Sequence, residues 1–379
     1  MRSILMVAIT LLCSSLAPAS LMSQNESSAR GGWPITITIT PKGPFEVLEE
    51  EVSGVNLIGL DERAITRLVL HDRIQRVSVI ECPITDCLCA LIARISPQSL
   101  ALEFCRSTTR RNLFTLMGLA SLHDLRLVDG SALVVDDGSD PLVIGPDVRV
   151  FRCAHVRGML FDLVVSALVK CAPLEDLELS YVPGVADPVP LAMKGLRKLV
   201  LSGNYGVTDS YLSEQVCSVD TLEALDIDGC SRVTASGLRR IGELKQLKHL
   251  RIGALVIDSA AVAALSTLQG LTSVDIGLSR APTAVLRQLF ALPSLRSITA
   301  IGSCVDDQLL LEVGEDIAKL EYLSLALCDG ITDVGARVIA SNAVAMKELD
   351  LLGCPRISSE CRSALKWLFA DRRIWVDCG

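Results

Sequence analysis

Hydrophobic residues along this chain recur in one phrase: an apolar residue, two free residues, an apolar residue, one free residue, an apolar residue, two free residues, then cysteine or asparagine. Four copies fit it fully: Leu196, Leu199, Leu201 and Asn204; Leu222, Leu225, Ile227 and Cys230; Leu320, Leu323, Leu325 and Cys328; and Met346, Leu349, Leu351 and Cys354. The alternating apolar residues predict a short strand with one buried face. The residue in the cysteine or asparagine slot then turns the chain away from the strand.

The spacing of these copies is narrow. Their first apolar residues lie at positions 174, 196, 222, 247, 271, 295, 320 and 346, so that successive copies start 22 to 26 residues apart. After the slot, a small polar residue precedes a run with helical spacing, as at Thr85, Thr208, Thr332 and Ser358. Such side chains accept hydrogen bonds from the first amides of a helix. Each copy therefore predicts one strand followed by one capped helix.

Further copies precede residue 174, of which only the first fits the phrase fully. They are Ile74, Val77, Val79 and Cys82; Leu100, Leu102 and Cys105; Leu122, Leu125 and Leu127; and Val148, Val150 and Cys153. Equivalent slots in stacked copies point the same way, so we expect a ladder of buried side chains rather than disulfide bonds, with each thiol acting as a small apolar group. The predicted ladder consists of Cys82, Cys105, Cys153, Asn204, Cys230, Cys328 and Cys354.

One strand and one helix cannot bury both of their faces alone, whereas stacked copies can. The pattern predicts an α/β solenoid with parallel strands on its concave face and helices on its convex face. The predicted parts are an apolar leader or signal peptide at 1–20, a capping segment at 21–51, degenerate repeats at 52–173, regular repeats at 174–370 and a C-terminal cap at 371–379.

The residue between the second and third apolar positions points out of the concave face in this interpretation. We expect a protein partner to contact residues on or beside this row: Arg126, Arg149, Glu178, Tyr181, Arg197, Asp226, Arg251, Asp275 and Asp350. Two interpretations of the charges stay open. Asp226, Arg251 and Asp275 can form an internal ion ladder across adjacent strands, or the mixed charges can line a groove that reads a ligand.

Composition narrows the classes of function. The net charge is −8, which does not support a nucleic-acid footprint. No nucleophile lies beside a base in any known catalytic motif, so we predict neither an enzyme nor a cofactor nor a small-molecule substrate. The spacing of Cys82, Cys87 and Cys89 matches no paired zinc pattern, and residues 136–140 lack a full calcium loop. We therefore predict no metal site.

The copies at Leu222–Leu238 and Leu320–Ala336 resemble leucine-rich repeats of the cysteine-containing subtype found in F-box proteins. The resemblance covers residues 174–379 well and 52–173 loosely. It implies a horseshoe-shaped scaffold that binds protein, with a further implication of substrate recognition in SCF-type ubiquitin-dependent degradation and an adaptor as partner. No F-box precedes the repeats, and no RING-type zinc pattern is present.

Two features bear on location. Met1–Ala19 has a basic residue, an apolar run and a small-residue cleavage site, as a secretory signal peptide does. The leader contains Cys13, so its removal would leave 13 of the 14 cysteines, an odd number in slots suited to free thiols. Free thiols favour a reducing compartment. We expect a cytoplasmic protein, with a secreted or surface recognition protein as the alternative.

Overall fold

The computed structural model describes residues 35–42, 46–47, 52–106, 109–129, 143–156, 167–168, 174–182, 195–371 and 374–378. The chain divides into two units, Met1–Ile35 and Thr36–Gly379. The strands and helices belong to the second unit, with β1 beginning at the last residue of the first. The predicted leader and the acidic segment 136–140 lie outside the described residues, and the predicted part boundaries stay predictions.

Short strands recur along the second unit. They are β1 (Ile35–Ile39), β2 (Glu46–Val47), β3 (Val52–Ile58), β4 (Val69–Leu70), β5 (Arg76–Ile80), β6 (Ser99–Glu103), β7 (Asp124–Val128), β8 (Val150–Ala154), β9 (Asp176–Ser180), β10 (Lys198–Val200), β11 (Ala224–Asp226), β12 (His249–Arg251), β13 (Ser273–Asp275), β14 (Ser297–Thr299), β15 (Tyr322–Ser324), β16 (Glu348–Asp350) and β17 (Trp375–Asp377). Fifteen of them form one sheet in the order β1, β3 and then β5 to β17 in sequence. β2 and β4 form a separate parallel pair.

Described helices connect β3 to β5, β5 to β6, β6 to β7 and, from β10 to β17, each strand to the next, as crossovers between parallel strands do. The described helices are α1 (Glu62–Ile65), α2 (Asp86–Ile95), α3 (Arg110–Met117), α4 (Asp209–Glu214), α5 (Ala235–Arg240), α6 (Ser259–Leu265), α7 (Thr283–Phe290), α8 (Asp307–Glu312), α9 (Gly314–Ile317), α10 (Asp333–Asn342) and α11 (Ser359–Asp371), with 3₁₀ turns at Val216–Ser218 and Ile241–Glu243. From β3 to β17 every pairing is parallel. Within the described segments, no helix combines the length and the apolar character needed to cross a bilayer.

The core lies between the sheet and the helices. The central apolar residues of successive strands stand in exact register, as with Leu225, Leu250 and Val274, and all three are buried. The residues on either side of them in each strand are more accessible, which is the alternation expected of a sheet with one covered face. The strand half of the repeat phrase is therefore confirmed, and so is the predicted α/β solenoid.

The predicted helix caps are also confirmed. Thr85, Thr208 and Thr332 each accept a backbone amide of the first helical turn, and Ser358 accepts the amide of Cys361. Acidic residues at the start of some helices add a bond between coils. Asp307 accepts the amide of Thr332 at 2.9 Å and Asp333 accepts the amide of Ser358 at 2.7 Å, each also receiving the hydroxyl. These carboxylates tie each helix start to the next.

Where the slot holds cysteine or asparagine, its side chain forms a hydrogen bond to the preceding coil. The thiols of Cys105, Cys230 and Cys354 donate to the carbonyls of Val79, Leu201 and Leu325 at 3.3, 3.1 and 3.2 Å. Cys82 and Cys328 do the same with the carbonyls of Leu57 and Ala300, and the Asn204 amide donates to the carbonyl of Leu179. The acceptor is always the last apolar strand residue of the coil before. The slot side chain therefore satisfies a buried carbonyl that the strand ladder leaves unpaired.

Cys153 does not occupy this slot, which corrects the prediction made for it. Its register partners are Leu127 and Leu179, so it is the last apolar residue of β8. The phrase in this coil runs through Val148, Phe151 and Cys153, and buried Val156 takes the slot. The prediction took Val148, Val150 and Cys153 as the second apolar residue, the third apolar residue and the slot, whereas the structure makes Val148 the first apolar residue and Cys153 the third, a displacement of three residues.

A left-handed backbone residue follows each strand of the large sheet from β3 to β16, and some large side chains there pack on the next coil. Tyr181 has φ +52° and covers Gly203, where an added Cβ would lie 2.4 Å from the Tyr181 ring. Leu327 has φ +59° and covers Gly353, where an added Cβ would lie 2.5 Å from a Leu327 methyl carbon. At these two positions the glycine suits both the positive φ and the close approach of the neighbour.

Candidate functional site

Strand side chains that point away from the core form one continuous surface, which we call the sheet face. Its first row runs through Asp124, Val150, Asp176, Lys198, Ala224, His249, Ser273, Ser297, Tyr322, Glu348 and Trp375. Its central row, two residues further along each strand, runs through Arg126, Arg152, Glu178, Val200, Asp226, Arg251, Asp275, Thr299, Ser324, Asp350 and Asp377. Neighbours within a row are about 4.8 Å apart, so charges on adjacent strands interact directly.

The structure places most of the predicted partner-binding residues in the central row. These are Arg126, Glu178, Asp226, Arg251, Asp275 and Asp350. Tyr181 lies beyond the end of β9, where its ring stacks on His155 with centroids 4.9 Å apart. Whether a partner contacts any of these residues stays a prediction.

Arg149 and Arg197 lie outside the two rows. Arg152 pairs in register with Arg126 and Glu178, so it holds the central-row position that was predicted for Arg149. The cause is the three-residue displacement already described for β8. Arg149 and Arg197 each come immediately before a strand, in what we call the pre-strand row: Arg149, Glu175, Arg197, Glu223, Lys248, Thr272, Arg296, Glu321 and Lys347.

The pre-strand row is largely neutralised by its own neighbours. Arg149 pairs with Glu175 at 3.1 Å between Nη1 and Oε1. Glu223 pairs with Arg197 on one side and, at 2.6 Å, with Lys248 on the other. The hydrogen bond from Lys248 lowers the pKa of Glu223, burial opposes the shift, and the hydrogen bond from Arg197 adds to the lowering. The sequence analysis missed this row, although alternating signs at one fixed repeat position were a visible signal.

Arg251 is the centre of the best-ordered charge cluster on the sheet face. Its Nη1 and Nε lie 3.1 Å from Oδ2 of Asp226 and 3.1 Å from Oδ2 of Asp275. Asp228, two residues beyond Asp226, lies 3.9 Å from Nη2. The internal ion ladder is therefore present, and it holds three carboxylates around one guanidinium.

The surroundings in this cluster stabilise the charged form of Arg251, whereas they disfavour the charged forms of Asp226 and Asp228. Burial raises the pKa of Asp226, although Arg251 opposes the shift. Burial and then the charge of Asp226 raise the pKa of Asp228 to about 6. Burial alone would lower the pKa of Arg251, but Asp226, Asp275 and Asp228 outweigh it and raise the pKa. The cluster retains excess negative charge at neutral pH.

A second cluster surrounds Arg152. Its Nη2 lies 3.2 Å from Oδ2 of Asp176, which also pairs with Lys198 at 3.3 Å, and its Nη1 lies 3.7 Å from Oδ2 of Asp124. Burial raises the pKa of Asp124, with Arg152 opposing the shift. Here cations and carboxylates alternate closely, while Oδ1 of Asp124, Oδ1 of Asp176 and Nε of Arg152 are buried without a hydrogen-bond partner among the described residues.

The sheet face changes character along its length. From β3 to β8 its outward charges are Arg76, Arg126, Arg152, Glu103 and Asp124, which sum to +1. From β9 to β17 they are Asp176, Glu178, Lys198, Asp226, Arg251, Asp275, Glu348, Asp350 and Asp377, and with Asp228, which lies two residues beyond β11, they sum to −6. A large part of the net charge of −8 therefore lies on one part of one face.

The cysteines offer little nucleophilic chemistry in the ladder. Burial raises the pKa of both Cys105 and Cys230 to about 12, so these thiols stay protonated and act as hydrogen-bond donors. Cys82 is buried in its slot, whereas Cys87 is exposed and Cys89 faces the core from α2. Among the residues with assigned positions, no group of three or more histidine, cysteine or acidic residues is arranged to hold a metal ion.

Comparison with known proteins agrees with the architecture. The sequence profile of the family described as Leucine Rich repeat matches residues 317–340. An internalin from Listeria monocytogenes superposes with a TM-score of 0.51 at 19% identity, over 79% of this chain and 80% of the other. A chain of the Rad7 and Elc1 complex in yeast superposes with a TM-score of 0.55 at 13% identity, over 82% of this chain and 76% of the other. At these identities the likeness shows the fold alone.

One sequence relative is EEED8.10 of Caenorhabditis elegans, named as a candidate RNA-binding protein, which is 24% identical over 175 residues. The match covers 44% of this chain and only 23% of that relative. The chain therefore spans about a quarter of the length of the curated relative. With the repeat geometry, the profile match and the two structural neighbours in agreement, the leucine-rich-repeat fold predicted from the sequence is confirmed.

Proposed function

Because this chain folds as a leucine-rich-repeat protein, we propose that it is a non-enzymatic scaffold that binds another protein on its sheet face. The observation that carries the proposal is the face itself. Its side chains stand in register over many strands, the helices lie on the other side, and from β9 onward it holds ordered charges in an arrangement that a partner can read. Electrostatic complementarity of this kind selects partners and speeds their encounter.

The same face argues against nucleic acid as the partner. A phosphate backbone is bound through lysine and arginine. The net −6 of the outward charges from β9 to β17 would repel it. The Caenorhabditis elegans relative is named for RNA binding, but the match leaves most of that protein outside the comparison. Its name therefore does not change the proposal.

A narrower form of the proposal makes the chain a substrate-recognition subunit in SCF-type ubiquitin-dependent degradation in the cytoplasm. The resemblance to the repeats of F-box proteins supports this form, and so does the fold shared with a chain of the Rad7 and Elc1 complex. The alternative is a secreted or surface recognition protein, which the leader Met1–Ala19 favours. Mass spectrometry of the mature N-terminus separates the two, because cleavage after Ala19 would exclude the cytoplasmic form.

The binding face is tested by quantitative affinity purification of the full chain with two matched variants. Ser273→Arg with Thr299→Arg adds two cations to the sheet face, whereas Gln308→Arg with Leu311→Arg adds two cations to exposed positions of α8. We expect the first pair to lower recovery of the specific partner by about tenfold and the second to leave it unchanged. Equal recovery from both variants would contradict binding on the sheet face.

The ligase form makes a further demand on the same experiment. A cullin-ligase adaptor should co-purify with the wild type and with both variants, because an adaptor binds outside the face that reads the substrate. The substrate should also become longer-lived when the protein is depleted from cells. If the lifetime of the partner does not change and no adaptor is recovered, the ligase form is contradicted, whereas the scaffold proposal is not.

A further inference from the structure

The central row uses aspartate in the same way three times. In Asp226, Asp275 and Asp350 one carboxylate oxygen, Oδ1, accepts the backbone amide two residues later, at 3.0, 2.9 and 2.9 Å. This local bond closes the turn after the strand. Half of each carboxylate therefore has a structural role in its own coil, and the other oxygen, Oδ2, is directed at its neighbours in the row.

That second oxygen meets a cation in two cases and a hydroxyl in the third. Oδ2 of Asp226 and of Asp275 each lie 3.1 Å from the guanidinium of Arg251. Oδ2 of Asp350 accepts the hydroxyl of Ser324 at 2.7 Å. Ser324 precedes Asp350 in the central row as Arg251 precedes Asp275. A hydroxyl satisfies a lone pair but supplies no charge, so within the described residues the charge of Asp350 has no partner cation.

A second carboxylate lies beside it. Glu348 occupies the first row of the same strand, and its side chain makes no ion pair or hydrogen bond with any described residue. Burial, reinforced by the charge of Asp350, raises the pKa of Glu348. The two carboxylates therefore repel one another in a partly dry environment, where a cation would interact more strongly than in water.

Aromatic side chains stand on both sides of Glu348 in the first row. Tyr322 precedes it on β15 and Trp375 follows it on β17. At the spacing of adjacent strands, the two residues are about 10 Å apart with the carboxylate between them. Tyr322 is half-buried, and Trp375 is 56% exposed. Aromatic faces attract lysine and arginine side chains but supply no ligand to a metal ion.

We propose that the β15–β17 end of the sheet face docks a lysine- or arginine-rich segment of a protein partner. Charge complementarity carries this inference: the central-row aspartates Asp226 and Asp275 are neutralised by Arg251, whereas Asp350 meets only the Ser324 hydroxyl among the described residues. The basic side chains pair with Glu348 and Asp350 and lie against Tyr322 and Trp375. The inference rests on the proposed scaffold function and names the chemistry of its partner.

The test uses two labelled peptides of eight residues, one alternating lysine with glycine and the other alternating glutamate with glycine. Their binding to the full chain is followed by fluorescence anisotropy at low and at raised salt. Glu348→Gln with Asp350→Asn removes both charges while keeping an acceptor for the Leu352 amide. Glu321→Gln is the matched control, because it removes a carboxylate of the neighbouring pre-strand row that already pairs with Lys347.

We expect the lysine peptide to bind, the glutamate peptide not to bind, and the double variant to weaken binding about tenfold. Glu321→Gln should leave the affinity unchanged, and Trp375→Ala should weaken it about threefold. Raising the salt from about 50 to about 300 mM should weaken binding further, since screening shortens the reach of the charges. The double variant should keep the thermal midpoint of the wild type.

Several results would overturn the inference. These are equal affinity of wild type and double variant, an equal loss in Glu321→Gln, comparable binding of the glutamate peptide, or displacement of the lysine peptide by millimolar calcium but not by equal ionic strength in sodium chloride. The last result would indicate an inorganic cation instead. If the purified partner depends on Ser273 and Thr299 but not on Glu348 and Asp350, the scaffold stands and the basic-segment inference fails.

Discussion

In the central row, the β11–β13 group holds Asp226 and Asp275 and the β15–β16 group holds Asp350, but among the described residues only the first group has a cation beside its aspartates. In both groups Oδ1 closes a turn within its own coil. In the first, Arg251 binds Asp226 and Asp275 at 3.1 Å. In the second, Ser324 offers a hydroxyl. The backbone role of the carboxylate is thus constant, while the partner of its remaining charge varies.

This difference separates charges that the fold uses from charges that remain for a partner. Arg251 is 39% exposed on its side chain, so its ion pairs are partly screened and their net contribution is modest. Their removal is nevertheless costly, because the carboxylates would remain half-buried without a cation. At the β15–β17 end that cost is already present in the folded protein, and binding of a cation would relieve it.

The largest expected effect comes from Arg251→Met, which removes the cation and keeps much of the side-chain volume. We expect the free energy of unfolding to fall by about 2–3 kcal/mol at pH 7.5, measured by urea denaturation. The loss should shrink at pH 5, because carboxylates with raised pKa values bind protons as the pH falls. Arg149→Met, in the exposed pre-strand row, should change the free energy by no more than about 0.5 kcal/mol. Equal losses of unfolding free energy in the two variants would show that the ion pairs of Arg251 contribute no more to stability than those of the pre-strand row.

Asp228→Asn should stabilise the protein. The pKa of Asp228 is raised from 3.8 to about 6. Its stabilising contribution is therefore present below its unfolded pKa and lost as the pH rises through about 6. Allowing for its partial exposure, we expect a gain of about 1 kcal/mol in the free energy of unfolding at pH 7.5 and none near pH 4. Asp147→Asn, with the same change of charge at an exposed position, should show no such gain; a loss in Asp228→Asn at pH 7.5 would contradict the prediction.

Ser324→Ala tests the hydroxyl that occupies the position of Arg251. Ser324 is fully buried, and its hydroxyl donates to Oδ2 of Asp350 at 2.7 Å. Removing the donor leaves that oxygen unsatisfied, so we expect a loss of about 1 kcal/mol in chemical denaturation. Ser341→Ala, at an exposed position of α10, should stay within about 0.5 kcal/mol of the wild type. No loss in Ser324→Ala would mean that the hydroxyl does not support Asp350.

The smallest expected effect is that of Asp350→Asn on stability. The asparagine keeps an oxygen for the Leu352 amide, and there is no ion pair among the described residues to lose. The change in the free energy of unfolding should be about 0.5 kcal/mol or less by thermal and urea denaturation. A loss as large as that of Arg251→Met would show that Asp350 is neutralised within the protein, and would remove the contrast between the two ends of the face.

The sequence was enough to predict the repeat period, the strands, several helix caps and most of the central row, because each depends on local spacing. It failed at β8, where Val148 can be the first or the second apolar residue of the phrase, since Val150, Phe151 and Cys153 supply matches to both alignments. That three-residue error exchanged Arg149 for Arg152 and placed Cys153 in the slot instead of the third apolar position. Spacing alone does not separate two alignments that both find apolar residues.

The partners of the charged side chains were harder to predict from the sequence than the strands were. Adjacency of Asp226, Arg251 and Asp275 followed from the register, but the use of Oδ1 in the turn and of Oδ2 along the row did not. Which oxygen is taken depends on the backbone conformation after the strand, where the pattern of apolar residues has ended. The lone Ser324 beside Asp350 was consequently a member of the predicted row without any stated role.

The slot thiols and the paired glycines differ in how they would tolerate rearrangement of the gene. Cys230 and Cys354 donate to a backbone carbonyl, and every coil presents that carbonyl whatever its sequence. Duplicating or deleting one coil would leave such a thiol an equivalent acceptor. Gly203 and Gly353 instead depend on the particular side chains of Tyr181 and Leu327, because a Cβ at either glycine would collide with them. We therefore expect evolutionary relatives of this protein to gain and lose coils most often at junctions where no large side chain of one coil packs on the backbone of the next.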